Sequence, residues 1–172
     1  MKKTLWMMVG IIGVACAAAF FIRNQDGGKA DDRFEPVGWQ TLSDFKYDTH
    51  EVLNDIDGGR PFTRSDDVIP TQVKALDGHQ VAVTGFIMPL RLKKGLVTEF
   101  LLFKDQAACC FGPAAKMNHY IRVKTKTEGF PPPGTLVIYT AYGLLRVGEI
   151  NVQGYLTGIY ELEAEKVVEQ KG

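Results

Sequence analysis

The stretch 80-QVAVTGFIMPLRLKKGLVTEFLLFKD-105 decides the fold class. Its first half alternates in side-chain type and is rich in β-branched residues, which suits a pleated, half-buried surface. Pro89 cannot donate to a ladder, so it marks a bend or an edge rather than a mid-sheet position, and Gly85 lets the strand coil. Lys93-Lys94-Gly95 has the length and the glycine of a hairpin turn. Phe100-Leu101-Leu102-Phe103 is apolar on both faces and predicts a central strand covered on each side. Asp77-Gly78, just upstream, supplies the turn that feeds the first strand.

Working outward, strand patterns begin at Val73 and continue to the C-terminus. The stretch 119-HYIRVKTK-126 puts Ile121 and Val123 on one face and Arg122, Lys124 and Lys126 on the other, which reads as the wet side. In 127-TEGFPPPG-134 three consecutive prolines break the ladder. A long strand follows at 135-TLVIYTAYGLLRVG-148, bulged or bent at Gly143. The last, 154-GYLTGIYELEAEKVVE-169, carries Glu161, Glu163 and Glu165 along one face. Five or six antiparallel strands joined in sequence within residues 67–170 predict an all-β domain. A small OB-like barrel is the first choice and a compact sandwich the second.

The N-terminal portion is of another kind. Lys2 and Lys3 precede an uninterrupted, mostly apolar run from Leu5 to Ile22, close to the length a bilayer-spanning helix needs. The run is apolar all round, unlike a core helix with one wet face. Residues 1–22 therefore read as a signal anchor or signal peptide that puts the rest of the chain outside the cytoplasm, either held at the cell membrane or secreted. An uncleaved anchor ranks ahead of a cleaved signal, and a lipid anchor on Cys16 comes third. Residues 23–33 form a flexible spacer. Residues 34–66 form an extended lead-in, with one helical turn near 39–44, that lays Phe34, Trp39, Leu42, Phe45 and Tyr47 on the domain.

These motifs, taken in order, resemble a bacterial family of exported proteins, domain-of-unknown-function family 3299. The resemblance rests on IP..V..LDG..V.VTGFIMPL, EFLLF, CCFGP.....H and a terminal G.Y.L.A..V, over roughly residues 66–168. Trp39-Gln40-Thr41-Leu42 resembles the lead-in found before it. The resemblance implies an OB-like domain behind a membrane anchor or signal. Members are often encoded near ABC-transporter permeases and metal-handling proteins, which points to a transporter component as partner. No catalytic residues carry over. The matching positions are Pro70, Gly85, Pro89, Cys109, Cys110, Gly112 and Pro113.

The chemistry concentrates in 105-DQAACCFGPAAKMNHY-120. Outside the cytoplasm, adjacent Cys109 and Cys110 make a poor disulfide, because their α-carbons lie only ~3.8 Å apart. Thiolate and imidazole suit zinc or copper, and thioether suits cuprous copper, so Cys109, Cys110, His119 and Met117 are candidate ligands. Structural zinc, however, spaces its cysteines more widely, and neighbours on extended backbone face opposite ways. The first-ranked reading is a structural corner, with one cysteine inside, one outside, and Gly112-Pro113 making the turn. A metal site ranks second and a reactive thiol third.

The remaining function classes are narrowed by what the residues offer. The two serines, Ser43 and Ser65, have no histidine at motif spacing, and no phosphate loop occurs, so an enzyme is not expected. His79 reads as a solvated turn residue. Charges balance, and the export signal argues against nucleic acid despite the basic Arg122-Lys124-Lys126 face. Trp39, Phe130 and Pro131 are candidate partner-binding residues, Phe130-Pro131-Pro132-Pro133 being a stiff projection. Ranked ahead of projection is a plain strand connector whose Phe130 packs on its own domain. The expectation is a non-catalytic binding or accessory module, with metal handling as runner-up.

Overall fold

The computed structural model describes residues 31–47, 68–106, 116–134, 137–153 and 155–170. The apolar run at 5–22 and most of the spacer lie outside these, as does the stretch 48–67 of the lead-in and its border. Among the described residues no helix is long and apolar enough to cross a membrane. Arg33–Gly172 forms one compact unit, so the described part of the lead-in and the strands belong together.

The elements in order are β1 (Glu35–Pro36), α1 (Trp39–Ser43), α2 (Thr71–Lys74), β2 (Gln80–Lys93) and β3 (Leu96–Phe103), then a 3-10 turn (Met117–His119), β4 (Tyr120–Thr125), β5 (Ile138–Val152) and β6 (Tyr155–Gln170). The six strands form one sheet in the order β1-β2-β3-β4-β6-β5, and β2 also pairs with β5. The expectation of an antiparallel set is corrected here: the sheet is mixed. β1 runs parallel to β2, and β4 runs parallel to β6. Hairpin turns dictate the direction of consecutive strands only. The proline-rich connector after β4 leads instead into β5, and β6, which returns antiparallel along β5, then lies beside β4.

β2 changes partners half-way along. Residues Gln80 to Phe86 pair with β5, and Phe86 to Lys93 pair with β3. Gly85 sits at the changeover, where a β-carbon would lie 2.3 Å from the carbonyl oxygen of Phe103. Pro89 falls in the half that pairs with β3, beyond the last β5 partner, consistent with its missing donor. In β5 the register shifts between Tyr142 and Gly143, and a β-carbon on Gly143 would lie 2.2 Å from the Glu163 carbonyl oxygen. The β2–β3 turn places Lys94 at φ 53° and Gly95 at φ 81°, the two left-handed residues of a type I′ hairpin.

The interior is filled by Val81 and Val83 of β2, Phe100 and Leu102 of β3, Ile121 and Val123 of β4, Leu145 of β5 and Ile159, Tyr160 and Leu162 of β6, none of them exposed. The lead-in closes the remaining gap. β1 occupies the edge of β2 that β3 leaves free; Val37 N–H donates to Ala82 O and the Trp39 indole to Thr84 O at 2.7 Å. α1 then carries Leu42 into the core, where the Tyr160 hydroxyl donates to its carbonyl at 2.8 Å. α2, where strand was expected from Val73 on, begins behind Pro70 and buries Val73, and Leu76 just past its end is buried too. That three-residue spacing and the leading proline are a helix-start signal in the sequence.

Candidate functional site

Along β3 and β4 the pairs Phe100–Val123 and Leu102–Ile121 alternate with Glu99–Lys124 and Leu101–Arg122. The first set is buried core, so the second set occupies the outer face. β4 and β6 extend this face by pairing Arg122 with Glu161 and Lys124 with Glu163. The result is a ladder of alternating charge across β2, β3, β4 and β6.

Glu99 is its centre. Only 7% of the residue is exposed. Arg122 donates from Nε to Glu99 Oε1 at 2.6 Å and its Nη2 reaches the same oxygen, while Arg91 Nε lies 3.2 Å from Oε2. The two arginines differ in kind. The Arg122 side chain is 15% exposed and continues to Thr157 Oγ1 at 3.5 Å, whereas Arg91 is 72% exposed. One cation is built in and the other is an arm at the surface. The outer rungs are Lys124–Glu161 at 2.6 Å, Lys126–Glu163 at 3.3 Å and Arg33–Glu165 at 3.8 Å. Sequence alternation put Arg122 in solvent with its two lysines; its tie to a buried glutamate is visible only across strands.

The 3-10 turn brings together a second set of groups. Asn118, fully buried, donates from Nδ2 to Phe45 O at 2.8 Å and Ser43 O at 3.3 Å, pinning the lead-in. Its Oδ1 has no hydrogen-bond partner among the described residues. Burial, with Tyr47 close by, pushes the hydroxyls of Tyr120 and Tyr160 above the usual tyrosine range, that of Tyr160 far above it. Beside them, burial and then the cations Lys104 and Lys116 hold the His119 imidazole below its ordinary value, against a smaller opposing pull from Asp105.

Of the sequence candidates, Met117 and His119 share this turn, Met117 packing against the core. Cys109, Cys110, Gly112 and Pro113 lie outside the described residues. Among the described residues no three metal-binding side chains cluster. Trp39 is half-buried against β2. Phe130 stacks between Phe100 and Tyr139, with ring centres 5.5 and 5.7 Å away, and its backbone bridges Val97. Pro131, next to it, is exposed. Gly85 and Pro89 stand where β2 turns.

Residues 48–169 match the protein family described as "Protein of unknown function (DUF3299)". The chain belongs to that family. The match reaches back into the lead-in, well before Asp66, and excludes Trp39 and β1. The chain is also similar to a solved structure of a DUF3299 family protein from Pseudomonas aeruginosa PAO1, at 23% identity and a TM-score of 0.57, covering 81% of this chain and 97% of that one. This likeness is one of fold. No curated protein matches the chain.

Proposed function

We propose that this family member is a non-catalytic binding module, tethered to the outer side of the cytoplasmic membrane by residues 5–22, whose partner is a membrane protein such as a transporter component. The observation that carries the reading is the charge ladder centred on Glu99. An inner carboxylate with both oxygens engaged is a rigid anchor, and the exposed arm of Arg91 beside it can be shared with a partner carboxylate at little entropic cost. We further read the fold as an OB-like barrel. What supports this is that the pairings β2–β3–β4–β6–β5 return to β2, with the ladder on the outside of β2, β3 and β4. Photo-crosslinking from position 124 in native membranes tests the function. A discrete adduct with one membrane protein, lost in Arg91→Glu, is expected; no adduct from position 124 or from the exposed Pro131 position overturns it.

Metal handling through Cys109, Cys110, His119 and Met117 is the second reading. It is supported by one placement: Met117 and His119 share the 3-10 turn, where burial and then the nearby lysines hold the imidazole below its ordinary value. Elemental analysis of the chain prepared without chelators tests it. Stoichiometric zinc or copper that disappears in His119→Ala supports the reading, and a metal-free protein retires it.

A further inference from the structure

Three large apolar side chains stand exposed among the described residues, Leu90, Leu92 and Ile138, and the first two share one hairpin tip. Every residue from Pro89 to Gly95 is exposed. The register shifts twice here, between Pro89 and Arg91 and again between Arg91 and Leu92, so Leu90 has no ladder partner. Such bulges re-aim side chains. The same seven positions, 89 to 95, hold Arg91, Lys93 and Lys94 and no acid. Behind the tip lies a groove of about 380 Å³ lined by Lys93, Lys94, Thr98, Thr125 and Thr127, with Glu128 also on its wall.

A leucine pair amid three cations is poorly matched to water and to a neutral protein face. It is well matched to the boundary of a bilayer, where acyl chains accept the leucines and anionic headgroups accept the cations. We propose that the β2–β3 hairpin tip docks on anionic phospholipid, with Leu90 and Leu92 entering the acyl boundary and Lys93 and Lys94 binding headgroup phosphate. This deepens the tethered-module reading and rests on it, because residues 23–33 reach at most roughly 35–40 Å and so hold the domain near the bilayer. Docking the tip would hold the neighbouring charge ladder at membrane height.

Tryptophan quenching by lipids with brominated acyl chains separates the two claims. The whole chain is reconstituted in vesicles of phosphatidylethanolamine and phosphatidylglycerol, and in parallel in phosphatidylcholine. With Trp39 replaced by Phe in every sample, Trp6 is the one native indole and reports on the apolar run; added quenching in Leu92→Trp reports on the tip, and Ile138→Trp is the off-site control. The expected result is added quenching in Leu92→Trp but not in Ile138→Trp, confined to the anionic vesicles. Combining Leu92→Trp with Lys93→Gln and Lys94→Asn lowers the docked-to-free ratio roughly twenty-five-fold, at about fivefold per cation. Quenched Trp6 with no added quenching in Leu92→Trp overturns the docking and spares the tether. Added quenching in Leu92→Trp with Trp6 unquenched keeps the docking and removes the tether. Blue-shifted but unquenched emission from the introduced tip indole overturns the proposal in favour of a protein contact.

Discussion

Glu99 illustrates what one residue can demand of its surroundings. A carboxylate this buried is tolerable only because two guanidinium groups engage its two oxygens. Arg122→Leu leaves that carboxylate with only the exposed arm of Arg91 and is expected to cost about 3 kcal/mol by urea denaturation. The double variant Glu99→Leu/Arg122→Leu should recover most of the loss, and its coupling energy should exceed about 1 kcal/mol. Additive single losses would mean the pair is incidental. His119 supplies a pH signature. Its folded-state value lies below the ordinary 6.5, so between the two values the unfolded chain binds the extra proton. Stability is therefore full above about pH 6.5 and falls as pH drops toward the folded value. His119→Gln should flatten this acid-side loss in urea midpoints measured from about pH 7.5 to 5.

Long strands that serve two partners need a place to turn, and β2 and β5 each use a glycine. At Gly85 the atom met is a backbone oxygen, which cannot rotate away. Gly85→Ala should destabilise the domain by about 2 kcal/mol or more, the range of overpacking and backbone displacement. Gly38 is the fair control. It caps α1 in extended backbone with no side-chain hydrogen bond, and a β-carbon there meets nothing within 4 Å. Gly38→Ser should be neutral or stabilising by a few tenths of a kcal/mol. Equal thermal midpoints for the two variants would refute this account of the changeover.

For the molecule as a whole, the lead-in is core. Phe34, Val37, Leu42 and Tyr47 are each less than 9% exposed. Burying four such side chains is worth roughly 6–12 kcal/mol, comparable with the whole stability of a domain. A chain beginning at Arg33 should unfold in one cooperative transition with the midpoint of the full chain. A chain beginning at residue 48 should lose cooperative unfolding and bind hydrophobic dyes. A cooperative transition in the shorter chain would show that the lead-in is dispensable packing.

Alternation and turn chemistry are local properties, and they alone determined that this chain makes strands, where the β2–β3 hairpin turns, that Phe100 to Phe103 is central, and that Gly143 marks a bend. The family resemblance was carried by the same motifs. Partner choice between distant strands is not local. The parallel join of β4 to β6, the tie of Arg122 to Glu99 and the closure of the β2 edge by Trp39 bring together residues 23 to 45 positions apart. A single sequence carries no periodic trace of such meetings, because each is settled by which surfaces remain unpaired after the hairpins have formed. Phe130 makes the same point: the proline-rich connector lets the ring project or pack on its own domain, and only the open apolar end formed by Phe100 and Tyr139 names what it packs against.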